Sequence, residues 1–298
     1  MNQPGLKAVR RVVLALLLTL IYSTQASGDW PRMVESADGV SISYQVHGSG
    51  EPTLVLVHGW SCDGRYWRAQ ARHFARQQRV VVIDLAGHGH SGLARDNYTM
   101  AAFGEDVRAV VEDVGVEQVI LIGHSMGGPV TAEAARLMPG KVIGLIGVDT
   151  FQNLSSLMSA EQWDEFLDPL RADFAANAPR FVAGMFAPST AIELRDWIIA
   201  DMSAAPPQVA MSAMEAMARD YISGHSLEVL QSLEIPLIAI NADGWPTDIE
   251  GNQKQVPGFT AVIIEGADHF LHMAMPDRFN RELEDVIASL TGSSQDGQ

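Results

Sequence analysis

The sequence predicts an α/β protein: one doubly wound, mostly parallel sheet of about eight strands, with a helical lid inserted after the sixth strand. Three observations predict it. Short continuous apolar runs recur along the chain, amphipathic segments at helical spacing separate them, and this alternation fails only between about 151 and 232. Continuous apolar runs suit strands covered on both faces, and regular alternation of strand and helix implies right-handed crossovers within one sheet.

The elements follow in order. Residues 1–26 read as an export signal, in which Lys7, Arg10 and Arg11 precede an apolar stretch over 12–22 and a small-residue cleavage site ends at Ala26. A cut after Gly28 and retention as an uncleaved anchor are the alternatives. The stretch is shorter than the roughly 20 residues a membrane-spanning helix needs, so the cleaved chain is expected in the periplasm or medium without stable membrane insertion. Residues 27–150 form the first part of the core. It begins with a strand over 33–36, a turn at Asp38-Gly39 and an alternating, half-exposed edge strand over 40–46. Buried strands follow at 53–57, 80–83, 118–122 and 142–148, with helices at 66–78, 100–114 and 126–138 between them. Residues 151–232 form the lid, with helices at 160–170, 192–202 and 209–222. Its Met202, Met211, Met214 and Met217 either line an adaptable apolar pocket or pack as ordinary helix core. Residues 233–298 complete the core through strands at 236–240 and 259–264, a helix at 277–290 and a polar, frayed tail from Thr291.

Composition excludes several classes. The 298 residues are 47% hydrophobic, enough apolar side chain for a folded core. Twenty Lys and Arg stand against 36 Asp and Glu, a formal charge of -16, which repels phosphate backbones and so argues against nucleic acid as a partner. Removing the signal takes away three cations and no acid. Cys62 is the single cysteine, so no disulfide forms within the chain, and it is expected to be a buried small side chain.

Chemistry is signalled most strongly by Gly123-His124-Ser125-Met126-Gly127-Gly128, a G-x-S-x-G pattern directly after a buried strand and directly before a helix. So tight a turn strains the serine backbone and projects its hydroxyl at a helix N-terminus, where developing negative charge is favoured. Ser125 is therefore the expected nucleophile. A hydroxyl needs a base to take its proton. Of nine histidines, His269 lies just beyond the last strand, at the sheet edge where Ser125 emerges, and is the expected base. His272 is expected to be structural. His124 is either packing or pocket wall, His88 and His90 make local hydrogen bonds, and His47, His73 and His225 belong to the surface or lid. No histidine pair at helical spacing accompanies carboxylates, so neither metal nor cofactor is expected.

With these residues in view, the chain resembles the α/β-hydrolase superfamily over nearly all of its mature length. Val57-His58-Gly59-Trp60 looks like that family's oxyanion loop, with His58 its brace. Asp84-Leu85-Ala86-Gly87-His88-Gly89-His90-Ser91-Gly92 looks like its D-x-x-G-H-G-x-S turn, and Gly266-Ala267-Asp268-His269-Phe270 like its histidine loop. The resemblance implies a serine hydrolase with backbone oxyanion donors at Met126 and Trp60. It also implies an acid after the seventh strand, at 245 by the usual spacing, yet Trp245 stands there. Asp243 is favoured instead, as a carboxylate held rigidly near a strand end. Asp149, which ends the sixth strand where some relatives carry the acid, and Asp248 are the alternatives. The expected substrate is a small-molecule carboxylic ester. The same triad also serves carbon-carbon, lactone or amide cleavage, and a ligand-binding protein on the same fold is the non-catalytic alternative.

Overall fold

The computed structural model describes residues 31–155 and 158–292. The expected export signal and residues 293–298 of the expected tail lie outside the described residues. Eight strands make one sheet: β1 (Arg32–Glu35), β2 (Ser41–His47), β3 (Thr53–Val57), β4 (Val80–Asp84), β5 (Val119–His124), β6 (Val142–Val148), β7 (Leu237–Ala242) and β8 (Thr260–Ile264). Their spatial order is β1-β2-β4-β3-β5-β6-β7-β8. The β1–β2 and β2–β4 pairs are antiparallel, and every later pair is parallel. Five strands from β3 onward therefore end along one edge, joined there by β8.

Side-chain alternation divides the core in two. Val55, Val57, Val81, Ile83 and Leu121 face α2 (Met100–Val114) and α3 (Gly127–Leu137), in one cluster with Phe103, Val107 and Val130. Their neighbours Leu54, Leu56, Val80, Val82, Ile120 and Ile122 point the other way. They pack with Trp67 and Phe74 of the 3₁₀ turn Gly64–Trp67 and α1 (Arg68–Phe74), and with Phe279 and Leu283 of a C-terminal helix, Pro276–Thr291. Each such side chain contributes about 1.5–3 kcal/mol when fully buried. Continuous apolar strands are thus what a sheet covered on both faces requires.

Two edge expectations change. β2 is not the edge strand, because β1 covers it, and its Ile42, Ser43 and Tyr44 are buried. β8 is not buried on both faces; as the last strand it exposes Thr260 and half-exposes the next three residues.

Between β6 and β7 the chain leaves the sheet and forms α4 (Ala160–Ala172), α5 (Phe174–Ala183), α6 (Ile192–Ser203), α7 (Pro207–Ser223) and α8 (His225–Gln231). Ser159 and Gln162 form a capping box on α4, Asp173 caps α5, and Gly224 ends α7 in the left-handed conformation. After β7 come α9 (Ile249–Gln255), α10 (Leu271–Ala274) and α11 (Pro276–Thr291). Thr291, expected in a frayed tail, closes α11.

Candidate active site

β5 ends at His124 and α3 begins at Gly127, which leaves Ser125 to turn the chain at φ 52. A side-chain-bearing residue occupies that region at a cost on the order of 1–3 kcal/mol, so neighbours must hold it. The Ser125 amide donates to the Val148 carbonyl at 2.9 Å, and the Gly128 amide donates to the Ser125 carbonyl at 2.9 Å. Two glycines make room. A Cβ on Gly127 would lie 2.6 Å from the Val57 oxygen, and one on Gly59 would lie 3.2 Å from the Ser125 Cβ. The loop after β3 therefore rests directly against the serine turn. The other non-glycine residues with positive φ, Ser61, Asp149 and Phe151, follow β3 and β6 at the same edge.

His269 reaches this edge from the loop after β8. Its Nδ1 lies 2.6 Å from Asp149 Oδ2, while Asp149 Oδ1 accepts the Ala242 amide at 2.9 Å. This corrects the expected acid. Asp243 is exposed and its carboxylate accepts the Gly266 amide at 2.9 Å, three residues before the base, and not the imidazole. Asp248 caps α9 by accepting the Gly251 amide at 2.9 Å. Closeness to a strand end makes Asp243 rigid but does not aim it. Asp149 is 3% exposed, and its left-handed turn at φ 45 accompanies a carboxylate directed at the imidazole. Asp268 turns away, accepting the Phe270 amide at 2.8 Å and the Thr190 hydroxyl.

The remaining imidazoles are scaffolding. His58 donates from Nδ1 to the Gly59 carbonyl at 2.8 Å and accepts the Leu85 amide at Nε2 at 3.0 Å, tying the loop after β3 to the turn after β4. Burial lowers its pKa. His124 donates from Nε2 to the His269 carbonyl at 2.8 Å, and burial holds it well below the usual histidine range, so its ring is neutral. The His272 ring lies 4.5 Å from the Trp67 ring, tilted by 35°, and burial lowers its pKa to about 3. His73 pairs with Glu284 and His225 with Glu133, both away from the serine.

Ser125 and His269 line one cavity of about 160 Å³. Trp163, Phe166, Phe181, Met185, Met202, Met214 and Met217 enter it from the chain between β6 and β7. Three of the four singled-out methionines thus face the cavity, and Met211 instead packs against the core. Among the described residues no Lys, Arg, Asp or Glu side chain lines it. Trp60 forms a wall: its indole N–H donates to the Ala210 carbonyl of α7 at 2.7 Å, and its ring meets Phe181 edge-on at 5.4 Å. Cys62 is buried beside it, its thiol pKa raised well above the usual value by burial. Neither the Trp60 amide nor the Met126 amide has an acceptor among the described residues. Among those residues no three His, Cys, Asp or Glu side chains cluster to hold a metal ion.

A sequence model described as the alpha/beta hydrolase fold matches residues 52–194, from the start of β3 into α6. The order of the sheet, the serine turn between β5 and α3, and the histidine loop after β8 agree with it. The chain belongs to the α/β-hydrolase superfamily. A pimeloyl-[acyl-carrier protein] methyl ester esterase from Aeromonas hydrophila subsp. hydrophila is 27% identical over 266 residues, spanning 83% of this chain and 100% of that protein. A non-heme chloroperoxidase from Kitasatospora aureofaciens is 26% identical over 84% of this chain and 97% of its own. In fold, the chain is similar to a thermophilic esterase from Thermogutta terrifontis, with TM-score 0.75, 23% identity and coverage of 88% and 99%.

This α/β-hydrolase therefore has an aspartate after β6 beside its histidine, and Trp245 where the resemblance led one to expect an acid. The Trp245 ring meets His269 edge-on, at 5.5 Å and 74°. Sequence reasoning missed the groups that fix the Asp149 turn. Asn241 accepts the Thr150 amide at 3.1 Å, and Asn252 accepts the Leu154 amide at 2.8 Å and donates to the Phe151 carbonyl at 2.8 Å. It also missed Met185, whose carbonyl accepts the His269 amide at 3.2 Å. Asparagines at strand and helix ends have no local pattern that betrays a partner some 90 residues away.

Proposed function

We propose that this α/β-hydrolase is an exported serine esterase that cleaves small, uncharged carboxylic esters by two-step acyl transfer. The observation that carries the reading is the 2.6 Å contact between His269 Nδ1 and Asp149 Oδ2, in a cavity shared with Ser125. A carboxylate on Nδ1 fixes the tautomer, leaving Nε2 free to take the Ser125 proton as Oγ attacks the ester carbon. The imidazolium that results is stabilised by the same carboxylate. The negative charge on the former carbonyl oxygen is met by the Trp60 and Met126 amides, which have no acceptor of their own, and the N-terminus of α3 adds to the field. His269 then protonates the departing alcohol, and a water activated at Nε2 releases the acid. The cavity's aromatic and methionine lining, which among the described residues holds no Lys, Arg, Asp or Glu side chain, supports a neutral, apolar acyl group. The helices between β6 and β7 serve as the lid over it.

Labelling with an alkyl fluorophosphonate tests the nucleophile. Wild type should be labelled at Ser125, and Ser125→Ala should lose both label and turnover of p-nitrophenyl butyrate, the latter by at least about 10³-fold. Equal labelling of both proteins would remove Ser125 from the role. Labelling without turnover of any ester would favour a ligand-binding protein. Export is supported by the basic, apolar and small-residue order of residues 1–26. Protein recovered outside the cytoplasm should begin after Ala26 or Gly28 by intact mass, and retention of an uncut chain in the cytoplasm would overturn it.

A further inference from the structure

We propose that Trp245 forms the alcohol subsite of this cavity and selects esters whose alcohol carries an aromatic or similarly planar apolar group. The inference rests on the esterase reading of Ser125 and His269, and deepens it.

The chemistry divides the cavity. In acylation the bond from Ser125 Oγ to the acyl carbon forms, the bond from that carbon to the alcohol oxygen breaks, and the proton on His269 Nε2 passes to that oxygen. The alcohol must therefore leave past the His269 ring. The carbonyl oxygen is directed instead to the Trp60 and Met126 amides, and Trp60 is joined by ring contacts to Phe174 and Phe181, and through Phe181 to Phe166. That aromatic array stands on the oxyanion side. Three rings contact His269: His124 at 4.7 Å, Phe270 at 5.2 Å and Trp245 at 5.5 Å. His124 and Phe270 also line the cavity but are 1% and 0% exposed, so they belong to its buried interior. Trp245 lines the cavity yet is 47% exposed, which puts it at the mouth, on the route the alcohol takes. Residues 243–246 are all exposed, so an indole has no packing reason to be here. A half-exposed indole flanking a base offers a flat apolar face and no charge, and matches an aromatic partner better than a small alkyl one.

The experiment compares kcat/KM for benzyl, cyclohexylmethyl and methyl butyrate, and for ethyl acetate and ethyl hexanoate, in wild type, Trp245→Ala and Trp245→Phe. Taking ratios between proteins cancels the intrinsic reactivity of each alcohol. Trp245→Ala should lower the benzyl-to-methyl ratio by about three- to tenfold, the worth of one aromatic pair, while the hexanoate-to-acetate ratio stays within about twofold. Trp245→Phe should keep most of the benzyl preference, and cyclohexylmethyl should fall less than benzyl. A changed acyl ratio with an unchanged alcohol ratio would overturn the proposal by moving Trp245 to the acyl side. An equal loss on every ester with a displaced pH profile would overturn it by making Trp245 a support for His269. Failure of the esterase reading looks different: wild type then neither hydrolyses these esters nor takes a fluorophosphonate at Ser125, and the subsite falls with it.

Discussion

Asp149 and Asp243 follow neighbouring strands, and only one of them meets His269. Replacing each by asparagine separates them. Asp149→Asn keeps an oxygen for the Ala242 amide but removes the charge that fixes the His269 tautomer, so kcat/KM on a neutral ester should fall by roughly 10³- to 10⁴-fold. Asp243→Asn keeps its bond with the Gly266 amide and should stay within about threefold of wild type, because an exposed carboxylate hydrogen bond of this kind contributes little. Thermal unfolding of both variants checks that the fold survives. The opposite ranking would return the acid to Asp243. Ser125 and His269 were legible in the sequence because glycines and a preceding apolar strand mark their loops. The acid was not, since an aspartate at a strand end has the same local pattern whether it faces an imidazole or water. What distinguishes Asp149 is a positive φ on a residue that is not glycine, together with Asn241 and Asn252 folding over the turn it begins. Neither leaves a mark on the neighbouring letters.

Among the elements, legibility followed length and periodicity. α2 spans Met100–Val114, the range its apolar spacing predicts, and β3 and β6 likewise match their apolar runs. α5 escaped notice because Pro179 interrupts its pattern, and α9 and α10 are too short to display a period. The joint between the helical insert and the core was equally hidden: the Trp60 indole of the loop after β3 donates to the Ala210 carbonyl in α7. In Trp60→Phe the ring can keep its contacts with Phe174 and Phe181 while that carbonyl loses the indole donor and keeps only its helical one, at a cost of about 0.5–1.5 kcal/mol for one hydrogen bond. Amide hydrogen exchange should quicken over residues 207–223 while α2 and α3 keep their protection. Unchanged exchange across α7 would mean that this bond does not anchor the insert.

At the scale of the whole molecule, both faces of the sheet's carboxyl edge bury neutral imidazoles, which makes stability depend on pH. His58, His88, His124 and His272 are all lowered by burial, His88 and His272 to about 3, against 6.5 for an exposed ring. Below 6.5 the unfolded chain binds protons that the folded chain refuses. The stabilisation is therefore fully present above 6.5 and is lost as pH falls toward 3, at about 1.4 kcal/mol per pH unit for each proton taken up on unfolding. The lowered carboxylates Asp38 and Asp63, and Glu161, add to the acid loss only near and below their ordinary values of 3.8 and 4.5, whereas Asp106 and Asp220, raised by burial, take up protons in the fold above 3.8 and oppose it. Between pH 6.5 and about 4.5 the histidines should dominate. Urea unfolding at pH 7, 5.5 and 4.5 should give a steadily falling free energy. His272→Phe, which keeps a ring against Trp67 and Phe279, should make the fall shallower by close to one proton. If the variant and wild type lose stability equally over that interval, the His272 ring must already be protonated, or hydrated, inside the fold.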